Sequence, residues 1–98
     1  MSAASPERVD CFSVFVAADP AALPRVLNVF SLFGLIPERC HSSRLDADQD
    51  QLVIDVQVAG LPAERAEQIA RRLDRVITVT HVLHSEKRCA GPRRAEAA

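Results

Sequence analysis

The fold is decided by residues 11–34, which read CFSVFVAADPAALPRVLNVFSLFG. In its first part, apolar side chains occupy both sets of alternating positions, as is typical of a strand buried on both faces. Asp19 and Pro20 follow, and a carboxylate that can cap a helix before a residue with a preset φ is a usual helix start. Gly34 stands where a helix needs a left-handed terminal residue. The stretch therefore predicts a central strand, a tight turn and a helix that ends at about Phe33.

The same order of elements recurs downstream. Residues 36–45 have few apolar side chains and predict an exposed edge strand, whereas residues 52–58 have the alternation of a half-buried strand. Residues 60–62 open a second amphipathic helix with a narrow apolar stripe, and a β-branched run at 76–84 predicts the last strand. This order predicts a ferredoxin-like α+β fold, βαββαβ, with a four-stranded antiparallel sheet and two helices on one face.

The length allows one domain. The chain has 98 residues, and a single hydrophobic core uses nearly all of them. We expect a disordered N-terminal segment at 1–9, the domain at 10–86 and a flexible C-terminal tail at 87–98. A domain of this size buries only about 60–65% of the surface that its unfolded chain exposes. Association with a partner is therefore a favoured way to gain stability.

Composition and charge argue against nucleic-acid and membrane functions. The formal net charge is −1, so there is no basic field to attract phosphates. An RNA-binding domain of this topology needs exposed aromatic side chains on two central strands; Phe12 and Phe15 are available on the first strand, but residues 52–58 contain none. No apolar stretch approaches the ~20 residues of a membrane span. We expect neither nucleic acid nor membrane as a partner.

The cysteines indicate a reducing compartment. Cys11, Cys40 and Cys89 are odd in number and widely spaced, which fits neither a disulfide framework nor a CxxC site. The N-terminal residues also lack the apolar core of a signal peptide. We expect a cytoplasmic protein in which Cys11 packs in the core and Cys89 is a free thiol of the tail.

No pattern of residues supports catalysis or metal binding. Cys40 and His41 are adjacent, so in a strand their side chains lie on opposite faces and cannot pair. His81 and His84 are three apart in a strand and also project to opposite faces, which argues against a shared metal ion. No glycine-rich phosphate motif occurs. We therefore expect no catalytic residue, no metal site and no cofactor.

A family resemblance adds to this interpretation. Residues 18–27, ADPAALPRVL, followed by Phe30 and Gly34, resemble the first loop and helix of ACT domains, in which an acidic-Pro-Gly loop precedes a Leu-x-Arg-Val helix that ends at a glycine. The match continues through residues 73–76 and 79–82 and covers about residues 11–85. Among ACT proteins, the chain looks most like the short single-domain small subunit of acetolactate synthase.

The resemblance implies a non-catalytic regulatory or activating subunit of branched-chain amino-acid biosynthesis. Its partner would be a thiamine-diphosphate-dependent catalytic subunit. The alternative is a free-standing ACT-domain homodimer that binds a small amino-acid effector. In both cases the resemblance implies dimerisation through sheet edges, which would remove open edge strands.

The resemblance also implies an effector site, shared between the first loop of one copy and the end of the first helix of its neighbour. Its candidate residues are Asp19, Pro20, Ala21, Ala22, Leu23, Gly34, Leu35 and Ile36. Ala21 replaces the family's loop glycine, and its methyl group hinders close backbone approach. Ile36 replaces an asparagine of valine-sensitive relatives and cannot hydrogen-bond a ligand. We therefore expect weak or absent feedback by valine. For Asp19, a simple helix-capping role is an equally good explanation.

Overall fold

A computed structural model describes residues 7–45, 47 and 49–89. Its elements are, in chain order, β1 (Glu7–Ala17), α1 (Ala22–Leu32), β2 (Arg39–Arg44), β3 (Gln51–Ala59), α2 (Ala63–Asp74) and β4 (Val79–Cys89). The strands form one antiparallel sheet in the order β2-β3-β1-β4. The predicted βαββαβ fold is confirmed, and β2 is an edge strand as expected.

The core lies between one face of the sheet and the two helices. Alternation along β1 turns Phe12, Val14 and Val16 toward the helices, where all three are fully buried. The rings of Phe12 and Phe30 of α1 meet edge to face, with centroids 5.6 Å apart. Such a pair contributes about 1 kcal/mol beyond the apolar area it buries. This contact joins the central strand directly to the first helix.

The other face of β1 differs from the expectation. Its alternate residues, among them Cys11 and Phe15, are only half-buried, because both helices lie on one side of the sheet. The prediction that β1 is buried on both faces was wrong. So was the placement of Cys11 in the core, since this thiol lies on the open face. Apolar residues on both faces of a strand therefore do not guarantee two covering layers.

The start of α1 also corrects an expectation. The N-cap residue is Ala21, which makes no side-chain cap hydrogen bond. Asp19 lies before the cap, where its Oδ1 accepts a hydrogen bond from the Ala21 N–H at 2.9 Å. Its carbonyl closes the turn by accepting from the Ala22 N–H at 2.9 Å. Asp19 therefore organises an Asx-type turn before the helix and does not cap it.

The end of α1 is as expected. Gly34 has a left-handed φ of +72°. Its N–H donates to the Ser31 carbonyl, and the Leu35 N–H donates to the Phe30 carbonyl, each at 2.9 Å. This pair of bonds is the Schellman arrangement, which satisfies carbonyls that the helix itself leaves open.

The long strands extend beyond the predicted domain boundaries. Glu7 is opposite Cys89 and Val9 is opposite Lys87 in the β1–β4 ladder, so residues 7–9 belong to β1 and residues 87–89 to β4. The backbone groups of residues 7–9 and 87–89 are hydrogen-bonding partners of each other, which keeps both segments in the sheet. The boundaries at 10 and 86 were too narrow by about three residues. Residues 1–6 and 90–98 lie outside the described part of the chain.

The last strand begins later than predicted. Residues 76–78 form a turn after α2, in which the Val76 N–H donates to the Leu73 carbonyl at 3.0 Å. Thr78 has a φ of +70°, a left-handed conformation that a strand does not contain. The β-branched composition of this segment predicted a strand, but the end of α2 requires a turn before β4 can start at Val79.

We expect Gly34→Ala to destabilise the protein by about 1 kcal/mol, because a Cβ disfavours the left-handed conformation. No heavy atom lies within 4 Å of the site of the added methyl, so the loss comes from the backbone alone. Gly34→Asn is the matched control, since asparagine tolerates this conformation, and it should lose less. Urea unfolding of both variants measures the difference. Equal losses would contradict the backbone explanation.

Candidate functional site

The first half of the predicted effector site is the turn between β1 and α1. The carboxylate of Asp19 is 40% exposed, and its Oδ2 lies 3.7 Å from Nη1 of Arg25. Ala22 is only 1% exposed and belongs to the core, and Leu23 packs against that core. The surface that a ligand can meet here is therefore made by Asp19, Pro20 and Ala21, with Arg25 beside them.

The second half is the turn after α1. Ile36 is 86% exposed, while Leu35 packs against the core. The two halves lie at opposite ends of α1, a helix of 11 residues and therefore about 16 Å long. One copy of the chain does not bring them together. A site made of both halves requires a second copy.

Two departures from the family pattern can be placed in the structure. Ala21 has a φ of −86°, which any residue adopts, so alanine causes no backbone strain where the family has glycine. Ile36 presents an apolar side chain to solvent. Of the two halves of the candidate site, the Asp19 turn is therefore the one that offers polar side-chain groups to a ligand.

A second cluster, formed by Arg8, Asp10 and His84, was not predicted. Asp10 is fully buried, although the sequence analysis assigned it to the domain boundary. Nε of Arg8 donates to Oδ1 of Asp10 at 2.8 Å, and Nη2 donates to Oδ2 at 2.9 Å. Nε2 of His84 lies 2.6 Å from Oδ2. The His84 ring stacks on Phe12, with centroids 4.8 Å apart.

The sequence did contain a signal for this cluster. Asp10 precedes Phe12, Val14 and Val16 in the same alternation, so extending β1 by two residues places its carboxylate on the helix-facing side. His84 is opposite Phe12 in the β1–β4 register. The prediction that His81 and His84 lie on opposite faces is confirmed, because His81 is opposite Phe15. His84 is a partly exposed strand residue, and its ring nitrogen also contacts the buried Asp10.

The charge balance favours the ionised form of Asp10. Burial alone would raise its pKa, but the hydrogen bonds from Arg8 and His84 and their positive charges outweigh burial and lower the pKa below its usual value. Arg8 also contacts Glu86, with Nη2 3.0 Å from Oε1. The cluster thereby joins neighbouring positions of β1 and β4 through charge-assisted hydrogen bonds.

Among the described residues, the neighbours of this cluster do not supply a nucleophile. Nucleophilic catalysis needs a hydroxyl or thiol beside the histidine. The neighbouring Cys11 and Ser85 are opposite each other on the other face of the sheet. Cys40 is separated from His41 by strand alternation, and partial desolvation together with the nearby Asp55 carboxylate raises the pKa of its thiol. Within the described ranges, no three metal-binding side chains come close enough to share an ion.

The helices are short compared with a bilayer. They contain 11 and 12 residues, and no helix in the described part of the chain is long and apolar enough to span a membrane.

The fold is a ferredoxin-like domain, and comparison with known proteins gives its family. The family model described as ACT-like domain matches residues 5–89. The chain therefore belongs to the ACT-like domain family, a class of regulatory small-molecule-binding domains. No sequence among the curated proteins matches the chain.

Solved structures agree in fold. The crystal structure of the ACT domain from GTP pyrophosphokinase of Chlorobium tepidum is similar with a TM-score of 0.67 at 10% identity, covering 81% of this chain and 99% of that one. The C-terminal domain of the MgtC protein from Mycobacterium tuberculosis also has a TM-score of 0.67 at 10% identity, covering 88% and 94%. At this identity the likeness concerns the fold alone.

We expect Asp10→Asn to cost about 2 kcal/mol at pH 7, because it weakens the charge-assisted bonds of two partly buried partners. Since folding lowers the pKa of Asp10, the stabilisation is present above about pH 4 and is lost as the pH falls through the folded-state value. The stability gap between wild type and variant should therefore narrow toward pH 3. Urea unfolding at several pH values measures it.

Asp74→Asn, at an exposed carboxylate on α2, is the control for loss of one negative charge. It should cost much less at pH 7. A gap for Asp10→Asn that stays constant from pH 7 to pH 3 would contradict the assigned role of the ionised carboxylate.

Proposed function

We propose that this chain is a non-catalytic regulatory domain that dimerises through β2 and binds a small amino acid between the two copies. One observation carries the proposal: the two halves of the candidate site are at opposite ends of α1, and the second half leads into β2, which is an open sheet edge. The family supports a regulatory, ligand-binding role. The dimer, the ligand and a cytoplasmic location are inferences of the proposal.

The open edge is suited to pairing with a second copy. All six residues of β2 are exposed. The Leu45 N–H donates to the Gln51 carbonyl, and alternation along the strand then turns the backbone groups of Arg44, Ser42 and Cys40 away from β3. A second β2 strand would satisfy these groups. Pairing would also bring a second chain close to Ile36, the most exposed of the large apolar side chains described.

The topology brings the two half-sites to the same end of such a dimer. β1 and β2 run in the same direction, because each pairs antiparallel with β3. The Asp19 turn lies where β1 ends, and Ile36 lies where β2 begins, at the opposite end of the sheet. Antiparallel pairing of two β2 strands about a two-fold axis reverses one copy relative to the other. Each Ile36 then lies at the same end as the Asp19 turn of the second copy.

The side chains at this junction suit a small amino acid. Asp19 can accept hydrogen bonds from an ammonium group, and Arg25, 3.7 Å away, can donate to a carboxylate. Ile36 offers an apolar contact for a side chain. Because Ile36 replaces the asparagine of valine-sensitive relatives, valine should bind weakly or not at all.

A thermal-shift screen of the twenty amino acids, with calorimetry of any hit, tests the proposal. At a ligand concentration of about 100 times its Kd, linkage gives the folded state about 2.7 kcal/mol, a clear increase in Tm. Ser42→Pro removes an outward N–H that β3 does not use, so it should weaken dimerisation and abolish the shift while the monomer stays folded. Ser42→Ala keeps the N–H and is the matched control.

Analytical ultracentrifugation of the three proteins supplies the second measurement. We expect dimers for wild type and Ser42→Ala, and monomers for Ser42→Pro. A monomeric wild type, or no shift with any of the twenty amino acids, would overturn the proposal.

A second candidate is the small subunit of an acetolactate synthase. The loop and helix sequence at 18–27 supports it. Mixing the chain with a thiamine-diphosphate-dependent large subunit should then give co-elution and faster acetolactate formation, with little response to valine. If the chain neither co-elutes with such a subunit nor activates it, this role is excluded. The amino-acid-binding homodimer is unaffected by that result.

A further inference from the structure

A groove between α1 and α2 concentrates positive charge on a protein whose net charge is −1. Its volume is about 260 Å³, and its lining includes Arg25, Asn28, Leu32, Arg72, Arg75 and Ile77. No carboxylate belongs to this lining. Within the described ranges, no ion pair shorter than 4.0 Å involves Arg72 or Arg75. Arg25 has the Asp19 carboxylate 3.7 Å away, so Arg72 and Arg75 are the two guanidinium groups of the groove that none of these ion pairs compensates.

The arginines of α2 have a partial explanation in helix electrostatics. Arg72 lies in the last turn of α2 and Arg75 is its C-cap residue, where positive charge is favoured by the helix dipole. That explanation does not extend to Arg25, which comes from the first turns of α1 and lines the same groove. The convergence of side chains from two helices is what distinguishes this groove from an ordinary solvated helix end.

The groove also has an apolar component. Leu32 is 62% exposed and Ile77 is 65% exposed, and both line the groove together with Val29 and Val76. In the described part of the chain, the other exposed large apolar side chains are Ile36 and Leu83. Exposed apolar groups beside uncompensated arginines fit a ligand that has both an acidic and an apolar part.

There is room for such a ligand to extend. A neighbouring depression of about 500 Å³ shares Arg72 and Arg75 and adds Phe33, Gln68 and Arg71 to the lining, together with Asp74. The carboxylate of Asp74 lines this second depression and not the first groove. The most favourable position for an anionic group is therefore in the first groove, between Arg25, Arg72 and Arg75.

We propose that the groove between α1 and α2 binds an organic anion, in which a phosphate or carboxylate contacts Arg72 and Arg75 and an apolar body lies against Leu32 and Ile77. Planar guanidinium groups bind either kind of anion through paired N–H donors. All the lining residues belong to one chain. The site therefore does not need a second copy. It borders the amino-acid site proposed above, because Arg25 lines both, but its anion contacts are Arg72 and Arg75.

Calorimetry at low salt tests the proposal with 1-naphthyl phosphate, 1-naphthoate and inorganic phosphate as probes. We expect 1-naphthyl phosphate or 1-naphthoate to bind saturably, and at least about tenfold more tightly than inorganic phosphate, because only they occupy the apolar part. Comparison of the first two probes tells which acidic group is preferred. Ser42→Pro should bind them as well as wild type, whatever the outcome of the amino-acid screen.

Substitutions locate the site. Arg72→Gln and Arg75→Gln should each weaken binding by about tenfold, the usual effect of losing a charge-assisted hydrogen bond. Lys87→Gln, which removes one exposed positive charge from β4, should leave affinity unchanged. Ile77→Ser should reduce the preference for the naphthyl probes over inorganic phosphate. Circular dichroism confirms that each variant is folded.

Two results would overturn the proposal. One is the absence of saturable binding of both naphthyl probes to folded wild-type protein. The other is an equal loss of affinity in Lys87→Gln and Arg72→Gln, which would mean that net charge alone attracts the anion.

Discussion

The structure depends on the burial of one face of β1 beneath two helices. β1 is a central strand, paired with β3 on one side and β4 on the other, and its helix-facing residues are excluded from water. Burying an apolar side chain of this size contributes about 2 kcal/mol. Every other element is placed relative to this strand: α1 packs on it through Phe30, and both long neighbouring strands take their register from it. The open edge, the turn at Asp19 and the groove between the helices are consequences of that arrangement.

Local sequence chemistry predicted most of the elements correctly. Alternation found β1 and β3, Gly34 marked the end of α1, and the lack of apolar residues marked β2 as an edge. These signals act over a few residues, so they can be read without knowing the fold. The errors occurred where the structure of a segment depends on a partner that is distant in the sequence. Residues 7–9 and 87–89 include four charged residues, and the two segments are ordered in strands because each pairs with the other.

The same limit applies to the functional residues. The chain alone suggested the Asp19 turn and Ile36 through a family pattern, but it could not show that one copy keeps them at opposite ends of a helix. The buried Asp10 depends on Arg8 two residues away and on His84 at the far end of the chain. A charged residue near a domain boundary is usually solvated, so composition gave no reason to bury it. The groove arginines likewise come from two helices, and their convergence is a property of the packing.

The β1–β4 pairing has a mechanical consequence. Glu7 and Cys89 are opposite each other in an antiparallel ladder, so the two ends of the described domain lie side by side at the same end of the sheet. A force that pulls Glu7 and Cys89 apart acts perpendicular to the two strands. It therefore breaks the hydrogen bonds between β1 and β4 one after another, starting at this end. Force of this kind meets the Arg8–Glu86 and Asp10–His84 contacts before it reaches the apolar core. These ionic contacts are therefore the first side-chain interactions that must break when the domain is opened by force.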